Sequence, residues 1–179
     1  MRAVNKNLYK DLFSAKRGLI IHSSALCDGT SAYVFGGVSG SGKSTMAQKM
    51  NGIMVPINDE KNVLEFTDQG IKVSTYFFLD GDEPKQYIVN ENVSGILKTF
   101  FFIKKDPLLK SRHELINDRS KIWKMLLTCA APPYTGEDHL FPDYLQLIDK
   151  LSDAVPFYCF YHNLSDPPEL IAKLLRETC

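Results

Sequence analysis

Residues 37–44 read Gly-Val-Ser-Gly-Ser-Gly-Lys-Ser, and no other stretch constrains the fold as tightly. Glycines at 37, 40 and 42 let the backbone curl until several N–H groups converge on one point. A phosphate fits such a point, and a helix opening near Lys43 adds its positive N-terminal dipole. Lys43 supplies a mobile cation, and the Ser44 hydroxyl stands where a Mg²⁺ ligand is needed. The octet is a complete Walker A sequence. It predicts a nucleoside triphosphate held on Gly37, Val38, Ser39, Gly40, Ser41, Gly42, Lys43 and Ser44. Such a loop needs a strand before it and a helix after it, and both are spelled here: Ala-Tyr-Val-Phe at 32–35 and a helical run at 45–50. A flexible Gly/Ser turn is the bland alternative, and it carries no such flanks.

The pattern around the octet sets the topology. Residues 18–26 and 31–35 read as strands joined by the turn Cys27-Asp28-Gly29-Thr30, so the loop hangs from the second arm of a hairpin. A short helix is expected over 44–51 with Gly52 as its C-cap, then a strand over 53–57 ending at Asn58-Asp59-Glu60. A second hairpin spans 62–66 and 71–78, and 97–103 is a buried strand. Helices are expected at about 110–117, 118–130 and 138–152, a last strand over 156–162, and a closing helix over 167–177. A hairpin arm feeding the loop predicts an α/β fold with a mixed, partly antiparallel sheet.

Length and charge narrow the class. With 179 residues, one domain over 1–179 is expected, large enough to bury roughly 70% of its unfolded surface. A formal net charge of zero gives no footing for nucleic acid or an anionic membrane. No apolar run approaches a membrane span and no secretory leader is legible. Cys27, Cys129, Cys159 and Cys179 are scattered without metal spacing, which predicts free thiols and a cytoplasmic setting. Homo-oligomerisation stays open.

Phosphoryl transfer needs a metal carboxylate and a group that deprotonates or orients the nucleophile. Asp59 and Glu60 stand at the C-terminal end of a strand, where open α/β sheets place their ligands. A carboxylate there reaches a Mg²⁺ or accepts a proton; the other reading is a polar turn. His22 lies in the strand pairing with the loop's feeder, where an imidazole orients or tunes that carboxylate, unless it is a structural histidine. Trp123 sits at helical core spacing, Phe100-Phe101-Phe102 reads as buried strand, and His113, His139 and His162, lacking a second metal ligand, read as structural or surface residues.

The run Ile21-His22-Ser23-Ser24-Ala25, the stretch from Ala32 through Thr45, and Asn58-Asp59-Glu60 resemble the HPr serine kinase family. More broadly they resemble small kinases with a phosphoenolpyruvate-carboxykinase-like fold. The resemblance implies ATP and Mg²⁺ as cofactors, a nucleotide site running from Gly37 to Thr45, Lys43 as a catalytic cation and Ser44, Asp59 and Glu60 as metal-facing oxygens. It also implies Asp59 as the base for an accepting hydroxyl, with His22 as its hydrogen-bonded partner. The family's acidic pair falls on Asn58-Asp59 or on Asp59-Glu60. Its later Glu-x-Arg-Gly signature has no match, and Glu91 stands in that region without the arginine. The implied activity is a phosphotransferase acting on a Ser or Thr hydroxyl of a protein or peptide, or on a small hydroxylated metabolite.

Two other classes fit a phosphate loop. An adenylate-kinase-type enzyme needs an arginine-rich lid, which only Arg112 and Arg119 could begin to build. A non-catalytic or ATPase-type switch needs a ligand-sensitive loop, for which the polar segment 80–92 is the candidate, as it is for an acceptor-binding flap.

Overall fold

Period-two alternation along the strands sorts side chains to two faces of a sheet. In β2 (Ser31–Gly36), Tyr33 and Phe35 point to one face while Ala32 and Val34 point to the other. In β6 (Ser94–Lys105), Phe101 and Ile103 join the first face, and Phe100 and Phe102 the second. Both faces are therefore cores. The computed structural model describes residues 11–12, 15–75, 90, 92–106, 109–133 and 137–178, and shows what covers each face. On the first lie α1 (Lys43–Met50), through Met46, Ala47 and Met50, and α4 (Pro168–Arg176), through Ile171, Ala172 and Leu175. On the second lie α2 (Arg119–Cys129) and α3 (Phe141–Ala154), with Ile122, Leu126, Leu147, Ile148 and Leu151 inward. Phe35 stacks on Phe101 with ring centroids 5.3 Å apart, locking β2 to β6.

The remaining strands are β1 (Gly18–Asp28), β3 (Val55–Asn58), β4 (Lys61–Thr67), β5 (Gly70–Thr75), β7 (Arg112–Leu115) and β8 (Phe157–His162). The sheet is mixed. β1 pairs antiparallel with β2, β3 and β4, and β5 pairs antiparallel with β4 and β6. β2 and β6 are parallel, as are β6 and β8. Pairings run β1–β2–β6–β5–β4 and return to β1, so five strands form a closed ring from which β8 and β7 extend. Closure hides the edges of the loop-bearing strand on both sides.

The expected hairpins, the buried strand and the closing helix are present, with shifted ends, and residues 76–78 of the second hairpin lie outside the described residues. The loop helix spans Lys43–Met50 and is capped at Asn51 rather than Gly52. The following strand begins only at Val55, after an Asn51–Met54 bridge. The helix expected at 138–152 starts as a 3₁₀ turn at Asp138–Leu140 and runs to Ala154. One element differs in kind: 110–117 is not a helix. Arg112–Leu115 adds antiparallel to β8 at the sheet edge, where the Arg112 guanidinium lies 4.3 Å from the Tyr161 ring centroid. Ladder bonds and that stacking outweigh a weak local helical preference. Trp123 packs against the second core and donates from Nε1 to Asp149 (3.1 Å), tying α2 to α3. Among the described residues, no helix is long and apolar enough to cross a membrane.

Candidate functional site

β2, β3, β6 and β8 end at one edge of the sheet, which brings together Gly36, Asn58, Lys105 and His162. β1 runs the other way, and its register (Ser23 opposite Gly36, His22 opposite Lys61) brings His22 to the same edge. A cleft of about 380 Å³ opens there. From the glycine-rich loop and α1 it is lined by Ser39, Gly40, Gly42, Lys43, Ser44 and Thr45; from the strand ends by His22, Asp59, Glu60 and Lys105.

Gly36 must be glycine because the sheet leaves no room: a Cβ there would lie 2.7 Å from Phe100 and 3.2 Å from the Cys129 sulfur. The chain then turns, with Ser41 N–H donating to Val38 O (3.2 Å), and enters α1 at Gly42 with φ +104°. Lys43 folds back along the loop. Its ammonium donates to Gly37 O (2.8 Å) and Val38 O (3.2 Å), and only 6% of the residue is exposed. Burial holds its pKa below the ordinary lysine value, while Glu60 across the cleft pulls the other way. Gly37 and Val38 thus hold the lysine rather than line the cleft, and Ser41 is buried.

On the acidic side, Asn58 builds the turn. Its Oδ1 accepts from Glu60 N–H (2.8 Å) and Lys61 N–H (3.2 Å), an Asx turn that reverses the chain from β3 into β4. Buried Asn62 staples that turn to β1, donating from Nδ2 to Ser23 O (2.8 Å) and Ser23 Oγ (3.0 Å). Asp59 and Glu60 are consequently the two residues turned to the cleft, with Asp59 only 2% exposed. His22 meets Glu60: Nδ1 lies 3.4 Å from Oε1. The hydrogen bond from His22 holds the Glu60 carboxyl below its ordinary range, against the opposing pull of burial.

Two neighbours of the loop were not among the candidate site residues. Lys105 enters the cleft from the end of β6, and His162, paired with it across the β6–β8 ladder, is buried against the loop's underside. A signal existed: both close strands parallel to the loop's feeder, where ligands gather in α/β sheets. The arginines of the lid alternative are committed elsewhere. Arg112 pairs with Asp106 (2.8 Å), and Arg119 with Asp149 (2.6 Å) and Asp153 (2.9 Å). Glu91 and nearly all of 80–92 lie outside the described residues, as does Cys179.

The donor set suits a hard cation: a hydroxyl and two carboxylates, all oxygen. Among the described residues, no three His, Cys, Asp or Glu side chains cluster as a metal cage. Mg²⁺ ordinarily binds through one or two carboxylates plus substrate phosphates, so this set fits it.

Compared with solved structures, the chain matches one described as the Hpr(Ser) kinase/phosphatase from Coxiella burnetii. The TM-score is 0.50 at 15% sequence identity, covering 88% of each chain. The fold resembles an HPr kinase domain. At that identity the likeness is one of fold alone. No protein-family model matches the chain, and no curated protein matches its sequence.

Proposed function

We propose that residues 1–179 act as one ATP- and Mg²⁺-dependent phosphotransferase that delivers the γ-phosphoryl group to a hydroxyl. The observation that carries this reading is one cleft holding Lys43 and the α1 N-terminus on one wall and Asp59, Glu60 and His22 on the other. A phosphate cradle alone suits any nucleotide binder; a buried carboxylate facing it suits transfer to a hydroxyl.

In this reading the N–H groups of the loop and of the first turn of α1 hold the β- and γ-phosphates. Lys43 leaves its carbonyl partners to meet the transferring group, and its lowered pKa means burial already presses it toward a counter-charge. Asp59 takes the proton from the accepting hydroxyl. His22 donates to Glu60 and keeps that carboxylate ionised and oriented. Ser44, Asp59 and Glu60 would hold the Mg²⁺, which when bound neutralises charge on the phosphates. Lys105 adds a second cation on the loop side. The acceptor is a Ser or Thr hydroxyl of a protein or peptide, or a small hydroxylated metabolite. Three buried free thiols, Cys27, Cys129 and Cys159, suit a reducing cytoplasm. The adenylate-kinase alternative loses its footing because no described arginine lines the cleft. The test is incubation with γ-labelled ATP, Mg²⁺ and a lysate or metabolite panel. Label on an acceptor supports transfer, and label found only as inorganic phosphate supports the ATPase-type switch instead.

A further inference from the structure

His162 is 1% exposed and lies at the end of β8, beneath the glycine-rich loop. Its backbone is held along β6, where it pairs with Lys105 and its carbonyl accepts from Asp106 N–H (3.0 Å). Its ring packs so closely on Gly42 that a Cβ there would sit 2.6 Å from Nε2 and 2.9 Å from Cε1. Nε2 lies 3.2 Å from Ser41 O. The other ring nitrogen, Nδ1, is buried and has no hydrogen-bond partner among the described residues.

These facts choose a tautomer. A carbonyl oxygen accepts, so Nε2 must carry the proton, and a neutral ring has only one to carry. A second proton on Nδ1 would be buried without an acceptor among the described residues, and the charges of Lys105 and Lys49 both disfavour it. The bond also orients the backbone. No peptide bond among the described residues is cis, so the Ser41 carbonyl and the Gly42 N–H point in opposite directions within one peptide plane. With the carbonyl turned down to His162, the Gly42 N–H turns toward the cleft that Gly42 lines.

We infer that His162 is a positioning residue whose Nε2–H, by holding Ser41 O, aims the Gly42 N–H at the phosphates of the bound nucleotide. The inference rests on the phosphate-binding reading of the loop. Removing the donor frees the peptide to flip, which turns an attractive N–H into a repulsive carbonyl at the nucleotide.

Glutamine places an amide nitrogen near the Nε2 position, and phenylalanine keeps the ring's shape without a donor. MgATP affinity by calorimetry is compared for the whole chain and its His162→Gln, His162→Phe and Lys43→Ala variants, alongside melting temperatures without nucleotide. His162→Gln is expected to bind within about threefold of the parent. His162→Phe is expected to lose at least about tenfold, the scale of one hydrogen bond to a charged group. Equal affinity in the parent and His162→Phe overturns the inference while leaving the nucleotide reading intact. Equal losses in His162→Gln and His162→Phe that track their melting temperatures also overturn it, since a packing role explains them. Failure of the parent to bind MgATP overturns the reading beneath. Should the variants not fold, ¹⁵N imidazole shifts of the parent decide: a neutral Nε2–H ring supports the inference, and an Nδ1–H ring overturns it.

Discussion

Gly42→Ala separates two demands that meet at the start of α1. The first is conformational. Gly42 has φ +104°, and an L residue held in the left-handed region costs about 1–2 kcal/mol. The second is steric, because the new methyl would stand 2.6 Å from His162 Nε2, whose backbone is fixed in β8. Forcing an extra carbon into packed surroundings costs about 1–3 kcal/mol. The expected loss is therefore about 2–5 kcal/mol, or a fall of roughly 4–20 °C in melting temperature for a chain of this size. Gly40→Ala is the control. Gly40 has φ +76° and nothing within 4 Å of the added carbon, so only the backbone part applies. Its fall should be roughly 2–8 °C. Thermal unfolding followed by circular dichroism, without nucleotide, measures both. Adding His162→Ala should soften Gly42→Ala by about 1 kcal/mol or more, since contacting residues couple. A Gly42→Ala loss no larger than that of Gly40→Ala, and additive with His162→Ala, would refute the close packing of ring and loop.

Lys43→Ala should cost MgATP affinity at least about tenfold by calorimetry, because the loop loses its cation and not merely a carbonyl tether. His22→Ala should lower phosphoryl transfer while changing stability by less than about 1 kcal/mol, since its contact with Glu60 is partly exposed; a matching fall in both would contradict the catalytic placement. Burial lowers the His162 pKa below its ordinary 6.5 in the folded chain, with Lys105 and Lys49 acting the same way and the Ser41 carbonyl opposing. The unfolded chain then binds the proton first as pH falls below 6.5. Stability should decline with acidification by at most about 1.4 kcal/mol per pH unit, and His162→Gln should remove that slope in urea titrations run from pH 7 to 5.

Much of the site was readable because its pieces are local. The octet at 37–44, the hairpin that carries it and the turn at Asn58-Asp59-Glu60 each declare themselves within a few residues. Lys105 and His162 did not, because their nearness to the loop exists only once β6 and β8 line up parallel with β2. Residues 112–115 were misread for the same reason: their extended form is held by β8, far along the chain. The part Asn58 plays was not legible either, because its side-chain oxygen is spent on its own turn, accepting from the Glu60 and Lys61 N–H groups.

Asp59→Asn tests the central claim most directly. The substitution keeps shape and polarity at a buried site but removes the basic carboxylate facing the loop. The readouts are MgATP affinity and label transfer from γ-labelled ATP, made on the same preparation. Retained MgATP binding with transfer reduced at least about a hundredfold, the lower bound for losing a general base, is the expected result. Transfer at the parent's rate would contradict Asp59 as the base and, with it, the assignment of this cleft to hydroxyl phosphorylation.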